Sequence, residues 1–149
     1  MILDLDRARR VVDEVETRLW TPMGPRSLAP DDWRYVARYQ GGRERRDGGY
    51  HQGTVWPWLA GAFVEAWVRT RQDEIGNTQR VARERFLKPL MDYAEGPGMG
   101  HICEIADGEA PHAARGCPFQ AWSVGEALRL SLKVLASEQA TQPEAESLS

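Results

Sequence analysis

The chain has 149 residues, 42% of them hydrophobic and 28% charged, which suits one soluble domain or part of a larger one. A formal net charge of -3 supplies no attraction for nucleic acid or an anionic membrane, so neither is expected as a partner. The longest apolar stretch, Val55 to Val68, is broken by Glu65 and is too short to span a bilayer. No basic segment followed by an apolar run marks a signal peptide, and two cysteines, Cys103 and Cys117, make no disulfide framework. The expectation is a cytoplasmic protein with reduced thiols.

The first helix is predicted from Asp4 or Asp6 to Leu19, with Asp6 as the N-cap. Leu5, Ala8, Val12, Val15 and Leu19 recur at helical spacing, while Arg9, Arg10, Asp13, Glu16 and Arg18 cover the other side. Trp20 to Gly49 has no helical period and holds eight Gly or Pro among Trp33, Tyr35, Tyr39 and several arginines. Its aromatic density predicts an ordered loop over the end of a helical scaffold rather than a disordered linker. Pro57 lacks an N–H and suits the first turn of a helix running to Arg71. Trp56, Ala60, Phe63 and Trp67 line one face of that helix, and only Glu65 and Arg69 mark a polar stripe, as on an inner helix. Gly61 is expected to permit close backbone approach.

A third helix is predicted from Asn77 or Thr78 to Tyr93, with a broad charged face and a kink at Pro89. Glu95 to Pro118 reads as a second long loop, and Gln120 to Ser137 as a fourth helix that is apolar nearly all round. The polar tail 138–149 is expected to be disordered. The order outer helix, loop, inner helix, given twice, predicts an all-α fold of about two αα-hairpins. Side by side, such hairpins put both long loops at one end.

The densest chemistry lies in Tyr50-His51-Gln52-Gly53-Thr54-Val55-Trp56-Pro57-Trp58. Flat rings stack on the C–H faces of sugars, and imidazole and amide groups meet hydroxyls. Trp56 and Trp58 fit a core role as well as a sugar-binding one. Glu104 stands in a loop of glycines, prolines and small residues, where a carboxylate can act as general base or bind hydroxyls. Asp107 and Glu109 share that loop and compete for the role. His101, Cys103, His112 and Cys117 lack the paired spacing of a zinc site. A Cys–His nucleophile has nothing to orient it, and Gly96, Gly98 and Gly100 follow no predicted strand, which argues against nucleotide binding.

Several motifs, in order, carry a resemblance. Tyr50 to Trp58, Glu104-Ile105-Ala106-Asp107-Gly108 with Pro111-His112, Arg115-Gly116-Cys117 and Gln120-Ala121-Trp122-Ser123-Val124 resemble the C-terminal domain of glycogen debranching enzymes. Thr21-Pro22 through Ser27-Leu28-Ala29-Pro30 is similar to the bacterial members. The match is to the last third or so of that domain, carried by residues 1–137. The resemblance implies a partial (α/α)6 toroid and an amylo-α-1,6-glucosidase, which removes the glucose left at a trimmed branch point of glycogen or a related α-glucan. It implies inversion by two carboxylates and no metal or organic cofactor. Glu104 would be the general base, while the acid, an aspartate, comes from an earlier part of the family's domain that this chain does not match. Tyr50, His51, Trp56, Asp107, Arg115, Gln120 and Trp122 would line the sugar pocket. The partners implied are an α-glucan or oligosaccharide, and either the rest of the barrel or further copies of the chain. The competing classes are a non-catalytic α-glucan-binding or remnant protein and one subunit of a split barrel.

Overall fold

The computed structural model describes residues 2–71 and 77–136, and within them the chain is mostly helical. Helix α1 runs Leu5–Leu19, and its cap is Asp4 rather than Asp6. Asp4 has extended backbone, and its carboxylate accepts the Arg7 N–H at 2.9 Å. Asp6 sits inside the first turn, where its charge complements the helix dipole. The predicted loop then carries three short elements of its own. Strands β1 (Trp20–Thr21) and β2 (Gly24–Pro25) form an antiparallel hairpin, and α2 covers Arg43–Gly49.

Pro57 opens a 3-10 turn, Pro57–Leu59, that leads into α3, Ala60–Arg71. The predicted inner face of α3 is in place: Ala60, Phe63, Val64, Trp67 and Val68 are all buried. Gly61 is the crossing point with the last helix, since a Cβ there would lie 1.5 Å from Glu126 Oε2. The outer helix is one run in three parts: α4 (Thr78–Ala82, capped by Asn77), a π-helical turn at Arg83–Leu87, and α5 (Lys88–Glu95). In the widened turn the Lys88 N–H reaches back to Arg83 O. This is how the run accommodates Pro89, which has no N–H to give.

The second long loop holds another antiparallel hairpin, β3 (Ile105–Ala106) with β4 (Ala114–Arg115). Helix α6 covers Ala121–Arg129 and continues through a π-helical turn, Leu130–Val134, closed by Leu135 N–H to Leu130 O at 2.8 Å. Its predicted end at Ser137 and the tail 138–149 lie outside the described residues. The prediction of an inner helix holds for one flank only. Ser123, Ala127 and Leu130 are buried, whereas Trp122, Leu128 and Leu132 are 49%, 52% and 70% exposed.

The main core joins Val12 of α1, the inner face of α3, Phe86 and Leu87 of the outer run, and Ala127 and Leu130 of the α6 run. Trp20 stacks on Phe63 at 4.7 Å and meets Phe86 edge-on at 4.9 Å, carrying the core up to the loops. A second cluster, Met23, Val55, Ala60, Leu90, Cys103 and Ala106, lies beneath them. Val55 ties the two loops together. Its N–H donates to Ala106 O at 2.9 Å, its carbonyl accepts the Ala106 N–H at 3.0 Å, and it also bridges Arg26. Both loops therefore meet, as two side-by-side hairpins require.

Candidate active site

The Tyr50–Trp58 stretch folds as a turn braced from within. Thr54 Oγ1 donates to Tyr50 O at 2.5 Å and accepts the Trp56 indole N–H at 3.1 Å. Gly53 stands at φ +126°, and a Cβ there would come within 2.6 Å of the Tyr35 ring and of Val36 O. Only glycine passes, because the left-handed backbone and the close approach coincide. The rings are thereby packed against each other. His51 and Trp56 stack 5.0 Å apart and nearly parallel, at 5°. Tyr50 meets both edge-on, at 4.8 and 4.9 Å. Trp58 and Trp122 face each other at 5.8 Å.

These five rings, with Ser27 and Leu59, wall an open cavity of about 440 Å³. The size and the apolar lining suit a small organic ligand, and rings beside open space suit a sugar face. Glu104 is not among the wall residues. It is joined to the wall through Tyr50, whose hydroxyl donates to Glu104 Oε1 at 2.5 Å. The other carboxylate oxygen accepts the Cys117 N–H at 2.8 Å. Burial, and then the hydrogen bond and charge of Glu104, push the Tyr50 pKa up to about 12, so its proton stays in place at neutral pH.

Of the predicted pocket residues, Tyr50, His51, Trp56 and Trp122 come together on the cavity wall. Asp107 and Arg115 do not. Asp107 is fully buried; it accepts the Tyr39 N–H at 2.8 Å and the Arg115 guanidinium at 2.9–3.2 Å, pinning the first loop to the second. Gln120 is half-buried at the N-cap of α6, where its N–H donates to Ile102 O at 3.0 Å and its side chain makes no capping bond. Trp58, for which core and sugar-binding roles were both open, is on the wall, and Ser27 and Leu59 join it without having been singled out. Ser27 arrives only by long-range pairing of the segment after β2 with the Tyr50–Trp58 stretch, where its N–H donates to Thr54 O at 2.8 Å. Glu109 is exposed and absent from the wall. Among the described residues no three or more His, Cys, Asp or Glu converge as a metal site, and no helix is long and apolar enough to cross a membrane. Cys103 is buried and Cys117 exposed, and they are not bonded to each other.

A family model described as "Amylo-alpha-1,6-glucosidase" matches residues 1–129 of this chain. The glycogen debranching enzyme of Saccharomyces cerevisiae is 28% identical over 134 residues, which cover 78% of this chain. The chain spans only 8% of the length of that yeast protein.

Proposed function

The chain belongs to the amylo-alpha-1,6-glucosidase family, and from that premise we propose that the ring-walled cavity takes a glucosyl unit of a glycogen-type α-glucan. Glu104 acts there as the general base of an inverting hydrolysis of an α-1,6 linkage. It takes a proton from a water that attacks the anomeric carbon, while an acid protonates the leaving oxygen; the two carboxyls stand roughly 6.5–9.5 Å apart in such sites. One observation carries this reading: a carboxylate held by both oxygens is joined by one hydrogen bond to the wall of a cavity formed by five rings.

The acid is contributed from outside these 149 residues, in a completed (α/α)6 toroid of which these helices are a part. This is supported by the cavity wall, which holds no carboxylate among the described residues, and by Asp107, which is spent on Tyr39 and Arg115. The same observation favours a second reading, in which this chain on its own binds α-glucan without cleaving it.

An isomaltose titration followed by the indole NMR signals tests the site. Trp122 and Trp58 signals should shift on saturation, and Trp122→Ala, which removes a half-exposed ring, should weaken binding. Glu104→Gln should bind as the wild type does, because the amide keeps size and polarity. Glucose release from phosphorylase-limit dextrin by the chain alone should be absent, since losing general-acid help costs about 10²–10⁴-fold. No shift of either tryptophan at saturating isomaltose would remove the sugar site. Turnover by the chain alone would remove the split carboxylate pair.

A further inference from the structure

Tyr50 is a cavity wall residue whose hydroxyl is nevertheless turned away to a carboxylate. Its ring cannot swing freely, being wedged edge-on against His51 and Trp56 and tilted against Tyr39 at 5.8 Å. Three rings thus aim one O–H bond. The resulting 2.5 Å contact is at the short end for a hydroxyl donating to a carboxylate. The second oxygen of Glu104 is gripped from another segment, by the Cys117 N–H, and Glu104's own N–H donates to Cys117 O at 2.8 Å. Gly116 makes that approach possible: it stands at φ +66°, and a Cβ there would lie 2.3 Å from Glu104 Oε2.

We infer that Tyr50 is a positioning residue for Glu104: its O–H fixes the carboxylate plane against the Gly116–Cys117 turn, and it is not a donor to the sugar. The inference rests on the reading of Glu104 as the general base. A hydroxyl has one proton to give, and Tyr50 gives it to Glu104. Of about four lone-pair sites on the carboxylate, two are occupied and the rest stay open to a water proton. A base works only when held near its productive orientation, within about 0.5 Å and 10–20°. Two anchors, the Tyr50 hydroxyl from the first loop and the Cys117 N–H from Glu104's own loop, supply that hold. Of the titratable groups against Tyr50, Tyr39 and His51 pack on its ring, and Glu104 is the charged group bonded to its hydroxyl.

Tyr50→Phe keeps the ring and removes only the O–H, so it separates the two roles. The carboxyl carbon signal of Glu104, read by ¹³C NMR, should move in Tyr50→Phe while that of exposed Glu109 stays. In an alkaline absorbance titration, the tyrosine transition missing from Tyr50→Phe should fall in Glu104→Gln from about 12 towards the ordinary value near 10. Isomaltose affinity of Tyr50→Phe should stay within about twofold of wild type, where a lost sugar contact would cost about tenfold. An unmoved Glu104 signal, an unmoved tyrosine transition, or a tenfold loss of isomaltose affinity each overturns the assignment. A wild-type chain that fails to bind isomaltose strikes the proposed function instead, and the two spectroscopic arms still decide whether Tyr50 holds Glu104.

Discussion

Gly116 concentrates two requirements in one position, a left-handed backbone at φ +66° and bare space for Glu104. Gly116→Ala should lose about 1–2 kcal/mol through the backbone alone, because an L side chain is strained there. The clash with Glu104 adds to that, so urea unfolding should show the lower midpoint and the Cys117 amide signal should shift. Titration makes a second expectation at this scale. Burial first, and then a neighbouring acid, raises Tyr50 and Tyr93 to about 12, and burial raises the Cys103 thiol. For an acid raised in the folded state, the stability contribution is complete below its unfolded pKa and is lost as pH rises through the folded one. The urea midpoint should therefore fall between pH about 10 and 12, and Tyr50→Phe and Tyr93→Phe should each flatten part of the fall.

Arg83 binds the outer run to the α6 run. Its guanidinium donates to Ser131 O and Leu135 O, both at 2.9 Å, closing carbonyls at the end of a helix whose last turn is π-helical. Arg83→Ala should cost about 1.5–3 kcal/mol, the range for hydrogen bonds to charged groups, and should loosen Leu135 from the core. Thermal melting measures the first and Leu135 methyl relaxation the second. Helices α1, α3 and the outer run were legible in sequence because an apolar period of 3.6 is sustained over ten residues or more. The cap at Asp4 was missed by two residues because both aspartates fit a capping role and only backbone geometry chooses. The two hairpins were illegible: two-residue strands carry no alternation. For the site, four of the five rings were visible because Tyr50, His51, Trp56 and Trp58 are contiguous, while Trp122 was reached only through the resemblance. The Tyr50–Glu104 bond spans 54 residues and has no local signal.

In the whole molecule, α3 packs against both α1 and α6, and large apolar side chains on or beside both neighbours stay exposed. On one side a groove of about 430 Å³ runs between α1 and α3, lined by Leu3, Ala8, Val11 and Val12 with Ala66, Arg69 and Thr70. On the other stand Leu128 and Leu132, exposed on the last helical run. Two unlike apolar flanks favour head-to-tail contact between copies, which does not close on itself as a two-fold dimer does. Sedimentation should show association that grows with concentration. Leu128→Glu with Leu132→Glu should return the chain towards monomer with an unchanged helical spectrum. A compact wild-type monomer at high concentration would mean that these flanks are not sticky enough to matter. Closure into a toroid is implied by the resemblance alone, since no periodicity reports what covers an outer flank.

The reciprocal bonds between Val55 and Ala106 also set when the site can exist. They pair residues far apart along the chain, so the entropy of closing that span is lost before either bond forms. Ring wall and carboxylate belong to loops that have no shared neighbour in sequence, and they should assemble late, after α3 and the outer run have docked. The same linkage should appear in reverse under native conditions. The amides of Val55, Glu104 and Ala106 should exchange with deuterium in a single opening event, and slowly compared with those of α2, whose residues are mostly exposed. A site that opens as one unit is either wholly formed or wholly absent, so partial damage to one loop should silence the other.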